Sequence, residues 1–91
     1  MTVTAPAATD RWLTCRVDKG MFSDELAVTY PATGEVLVSV FVPADAVRGQ
    51  QGGLGKVRVN IFRRGDTTFA ILPTEYSESV AITEADLSDA P

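Results

Sequence analysis

The residues most able to recognise a ligand lie on one stretch of apolar–polar alternation. Lys56, Arg58, Asn60 and Phe62 fall on the face opposite Val57, Val59 and Ile61, and Arg63-Arg64 extend the positive charge. Cations with an aromatic ring on an open β-face can follow a phosphate backbone while stacking a base. Trp12 and Arg16 share one face of an earlier alternating stretch and are candidates to enlarge that surface. The opposing reading is that lysine and arginine simply guard a solvated strand face, with Phe62 covering a barrel end and Glu75, Glu78 and Glu84 neutralising the cluster.

Other constellations argue against catalysis. The chain has no histidine, which removes the commonest general base and metal ligand and leaves Cys15 without an imidazole partner. Cys15 is the only cysteine, so no intrachain disulfide can form, and zinc would need more thiols or imidazoles. Its place between Leu13 and Val17 in the alternation points inward, as a small core hydrophobe with a raised pKa. Gly52-Gly53-Leu54-Gly55-Lys56 resembles a phosphate-binding loop only in part. Gln50 and Val57 stand where the motif needs glycine and a hydroxyl, and a strand follows rather than a helix. Arg64-Gly65-Asp66 spells the adhesive tripeptide of integrin ligands, but Gly-Asp is also the chemistry of a tight turn. Asp18, Asp24 and Glu25 have no calcium-loop spacing. No catalytic, cofactor-binding or metal-binding residue is expected.

Positioning these residues falls to short strands. Arg11 to Val17 alternates, and Leu26, Val28 and Tyr30 alternate again after the turn chemistry of Asp18-Lys19-Gly20, with Phe22 expected to lie over one end of the core. A third strand is expected over Glu35 to Val42, and Val36 to Val42 within it is almost wholly apolar, the pattern of a central strand covered on both faces. Pro43 to Val47 suits a single helical turn near residues 44–48. Gly49 to Gly55 holds so much glycine that it is expected to be the least ordered loop. Lys56 to Phe62 and Thr67 to Leu72 form a hairpin turning at Gly65-Asp66, and Val80 to Thr83 is the last strand. The fold class is therefore all-β: a small single-domain barrel or sandwich of about six short antiparallel strands. Residues 1–10 are expected to be a flexible tail, 11–83 the β domain, and 84–91 an acidic segment that frays.

Charge and composition bound the function. Apolar residues make up 45% of the 91-residue chain and charged residues 22%, the balance of a folded protein. The net charge is −4, and every lysine and arginine lies before residue 67 while Glu75, Glu78, Glu84, Asp86 and Asp89 follow. An acidic total repels nucleic acid and anionic membrane at long range. No apolar stretch approaches the roughly 20 residues that span a bilayer, and the first ten residues lack a secretory leader's basic and apolar regions. The expectation is a cytoplasmic, non-catalytic binding module with a protein partner and no cofactor or membrane. Single-stranded nucleic-acid binding through Trp12, Arg16, Lys56, Arg58, Phe62, Arg63 and Arg64 is the alternative, and edge strands pairing between copies would make a homo-oligomer.

Overall fold

The computed structural model describes residues 10–91, and residues 1–9 of the expected N-terminal tail lie outside the described residues. The chain is all-β. In order come β1 (Asp10–Lys19), β2 (Glu25–Tyr30), β3 (Val38–Pro43), a 3₁₀ turn (Ala44–Ala46), β4 (Val47–Gln51), β5 (Leu54–Arg64), β6 (Thr67–Ile71), β7 (Ser79–Ile82), a second 3₁₀ turn (Glu84–Asp86) and β8 (Leu87–Ser88). They form one eight-stranded antiparallel sheet in the order β3-β2-β1-β5-β6-β7, with β4 added to β5 and β8 to β1.

The sheet curls because its two long strands each change partners along one edge. β1 pairs with β5 over Asp10 to Arg16, while its other edge serves β8 at Trp12 and Leu13 and β2 from Arg16 to Lys19. β5 likewise turns from β4 at Leu54 to Val57 to β6 at Asn60 to Arg64. With the right-handed twist of paired strands, passing from one partner to the next wraps both long strands round a common core, and the sheet becomes barrel-like. Closure is incomplete among the described residues, since β3 and β7 stand at the two ends of the sheet order and do not pair.

Period-2 alternation fills the interior. Leu13, Cys15 and Val17 enter from β1, Val28 and Tyr30 from β2, Val57 and Val59 from β5, and Val42, Val47, Ala70, Leu72 and Val80 complete the core. Two polar bonds lock the bottom of this core. The Tyr30 hydroxyl donates to Asp86 Oδ2 at 2.6 Å and accepts from the Thr83 amide at 3.0 Å, which ties β2 to the second 3₁₀ turn.

Several expectations need correction. The acidic end does not simply fray after residue 83. Asp86 is held by Tyr30, Leu87 packs against the core, and β8 pairs with β1, contacts that acidic composition alone does not announce. The glycine-rich segment is a hairpin rather than an unstructured loop. Gly52 and Gly53 take positive φ values of 62° and 83° as its two-residue turn, and Gly49 takes 62° beside a bulge in β4. Glycine there supplies the geometry instead of preventing order, and β4 with β8 raises the strand number from six to eight. Phe22 does not cover the core; it is 68% exposed at the β1–β2 tip. The helical turn, by contrast, is found at Ala44–Ala46, and the β5–β6 hairpin turns at Gly65-Asp66 between the paired Arg64 and Thr67.

β3 departs most from expectation. It begins at Val38, two residues into its apolar run, and it lies at the end of the sheet order rather than in the centre. Val38, Val40 and Val42 face the core, while Ser39 and Phe41 face outward and Val36 and Leu37 are exposed in the loop before it. An unbroken apolar run does not distinguish burial on both faces from an edge strand with an apolar outer face.

Candidate interaction surfaces

The predicted basic face is partly assembled by the β1–β5 register. Trp12 lies opposite Arg58, Thr14 opposite Lys56, and Arg16 opposite Leu54, so the outward residues of both strands share one surface. Phe62 continues that face and stacks on Phe69 of β6, with ring centroids 5.0 Å apart and planes at 11°. Arg64 ends it opposite Thr67. Arg16 is drawn toward Asp18 at 3.7 Å, and the Lys56 ammonium lies 3.4 Å from Ser88 Oγ.

Arg63 does not belong to this surface. Alternation points it to the other side of β5, where its guanidinium meets Glu84 at 3.1 Å. Arg48, missed because β4 was not foreseen, takes its place in the row opposite Lys56 and donates to the carbonyl oxygens of Asp45 and Val47. Phe69 was in a recognised strand, but only the hairpin register reveals that it stacks on Phe62.

The groups considered for catalysis are otherwise engaged. Cys15 is fully buried, and its thiol is pushed up to about 12, mainly by desolvation and further by the charge of Asp86. Little thiolate exists in such a site at neutral pH. Asp18 pairs with Arg16, and Glu25 accepts from the Met21 amide at 3.1 Å. Gly65-Asp66 is turn chemistry, with Gly65 at a φ of 62° in the first central position.

A second surface follows from the position of β3. The Ala44 amide bonds the Asp24 carbonyl at 2.9 Å, and the ladder continues through the partners Leu26–Val42, Val28–Val40 and Tyr30–Val38. Antiparallel pairs alternate between hydrogen-bonded and non-bonded, so these even-numbered residues of β3 spend their amides on β2. The backbone N–H and C=O groups of Ser39 and Phe41 therefore point away from the sheet. Pro43 occupies the next outward position, where a missing N–H removes no ladder bond.

A groove runs beside this open edge. Its walls are Val40, Phe41, Val42 and Pro43 on one side and Pro73, Thr74, Glu75, Tyr76 and Glu78 on the other, with Asp24 and Glu25 at one end. Phe41 is 47% and Tyr76 80% exposed, and Leu37, just before β3, is 60% exposed. Thr74 Oγ1 bonds the Glu78 carboxylate, and the Leu72 amide bonds the Glu78 carbonyl at 2.8 Å, so the far wall is a braced turn. From the sequence, Glu75 and Glu78 read as possible neutralisers of the basic face, and Asp24 and Glu25 as a carboxylate pair without calcium-loop spacing. Among the described residues, no helix is long and apolar enough to cross a membrane. No protein-family model matches the chain, and neither the curated proteins nor the solved structures contain a match.

Proposed function

We propose that this domain is a non-catalytic interaction module that receives an extended segment of a partner protein along β3. One observation carries the reading: a strand edge that is unpaired among the described residues, with outward Ser39 and Phe41 backbone groups, set beside exposed Leu37, Phe41 and Tyr76. An open edge is a template for an added strand, in which main-chain bonds give affinity and alternate side chains give specificity. The burial and raised pKa of Cys15 support the non-catalytic part, because the only thiol is neither reachable nor ionised at neutral pH. An amide-resolved NMR titration with a mixed library of extended octapeptides tests the proposal. Shifts centred on Ser39 and Phe41 are expected, and an unmoved β3 under saturating library would reject it.

The second reading is single-stranded nucleic-acid binding on the outer face of β1, β4 and β5. Arg48 and Lys56 stand directly opposite each other, an arrangement of like charges that an anion would relieve, and Arg58 stands opposite Trp12. Titration with mixed single-stranded DNA and RNA at low salt should then move Trp12, Lys56 and Arg58, fade as salt rises, and vanish in Arg58→Glu. Absent or salt-independent shifts would remove this reading.

A further inference from the structure

We infer that the segment received by β3 is cationic, an extended strand alternating apolar and basic residues, rather than a second copy of this chain. The inference rests on the reading of β3 as a docking edge and adds the chemistry of the occupant.

The groove carries charge of one sign only. Asp24, Glu25, Glu75 and Glu78 line it together with apolar and neutral residues, and neither lysine nor arginine is among its walls. The alternation of β3 assigns the faces of an added strand. Side chains of the guest that lie on the Val40 and Val42 side meet the seam between β3 and β7 and should be apolar. Those on the other side share a face with Phe41 and with Glu25, which is the cross-strand partner of Pro43. Glu75 lines the groove with Phe41, so this outer row of guest residues meets carboxylates and an aromatic ring together. Lysine or arginine satisfies both, as a charge partner for the acid and as a cation over the ring.

The same charges disfavour self-pairing. Two copies joined along β3 would bring like-charged rims together on a chain already at −4. Like charges opposed across a strand pair are destabilising. A basic guest turns the same residues into attraction, and it also supplies the N–H and C=O partners that Ser39 and Phe41 lack among the described residues.

The test uses the full chain and three fluorescein-labelled octapeptides of alternating valine with lysine, glutamine or glutamate, read by anisotropy and by amide hydrogen exchange. The valine–lysine peptide should bind about tenfold tighter than the valine–glutamate peptide, with the preference narrowing as salt screens the groove. Ser39 and Phe41 amides should gain protection. Ser39→Pro removes one of the two outward donors at a position where β2 needs none, and should weaken binding about fivefold. Glu75→Lys, on the exposed far wall, should narrow the charge preference without touching the core. Equal binding of all three peptides with Ser39 and Phe41 protected would overturn the inference and leave the docking edge standing. No protection with any peptide would overturn both. Lysine-peptide binding that leaves Ser39 and Phe41 unprotected is general attraction to an acidic chain and overturns the inference. Protection that grows with protein concentration alone would identify a second copy as the occupant and overturn it equally.

Discussion

Replacing Tyr30 by phenylalanine isolates the contact that secures the C-terminal turn. The ring is 3% exposed and stays buried in the variant, so packing is preserved and only the hydroxyl is lost. That hydroxyl donates to the Asp86 carboxylate at 2.6 Å and accepts from the Thr83 amide at 3.0 Å. A hydrogen bond to a charged partner contributes about 1.5–3 kcal/mol and a neutral one about 1 kcal/mol. Asp86 retains some solvent access, which returns part of that loss, so Tyr30→Phe is expected to destabilise by about 2–3 kcal/mol. For a domain of this size the melting temperature should fall by roughly 10–20 °C. Urea unfolding gives the free energy. A double-mutant cycle with Asp86→Ala should return a coupling of about 1–2 kcal/mol. The pH dependence has a definite sign. Burial first, and then the bond to Asp86, raise the Tyr30 phenol above its ordinary value, so the folded state holds this proton more tightly than the unfolded chain. The stability it contributes is present below about pH 10 and is lost as pH rises through the folded value, and the deficit of Tyr30→Phe should shrink over that range. A deficit below about 0.5 kcal/mol at neutral pH would refute the reasoning, since a surface contact of no consequence gives such a value.

Other perturbations follow from the same geometry. Cys15 rises from 9.0 to about 12 in the fold, so stability should decline between about pH 9 and 12 by an amount on the order of 4 kcal/mol, and Cys15→Ala should flatten that decline in denaturant melts. At pH 8 the wild-type thiol should react with a disulfide reagent only as fast as the domain opens. Gly55→Ala should cost about 1–3 kcal/mol, because a Cβ there would lie 2.8 Å from Val17 Cγ2 and 3.1 Å from Val47 Cγ1, and Val17→Ala in the same chain should recover part of it. Arg63→Ala should change stability by less than about 0.5 kcal/mol, since both it and Glu84 are more than half exposed.

The inward residues were legible from the chain wherever period 2 was clean. Leu13, Cys15 and Val17 in β1 and Val57 and Val59 in β5 lie inside as their spacing requires, and the Gly65-Asp66 turn sits where its residues place it. Alternation is a local property, and a strand's faces follow from it directly. Partners are not local. The hairpin that places Arg48 beside Lys56 depends on Gly52 and Gly53 being a turn, while glycine content alone reads equally as a loose loop. β8 is two residues long, and its position depends on Tyr30, more than fifty residues earlier, finding Asp86. The candidate site divides the same way. Trp12, Lys56, Arg58 and Phe62 share a face, as proposed from their strands. Arg63 falls on the opposite side by the alternation that placed its neighbours, so its exclusion was readable from the sequence. The β3 edge was hidden because an apolar run is silent about whether anything covers its outer face.

The central claim is that β3 accepts a strand, and amide hydrogen exchange at Ser39 and Phe41 tests it most directly. In the free chain these amides should exchange much faster than those of Val40 and Val42, which are bonded to β2. Saturation with the valine–lysine octapeptide should slow Ser39 and Phe41 at least tenfold while Val40 and Val42 change little. Ser39 and Phe41 already as protected as their neighbours in the free chain, or unchanged by any peptide, would contradict the account.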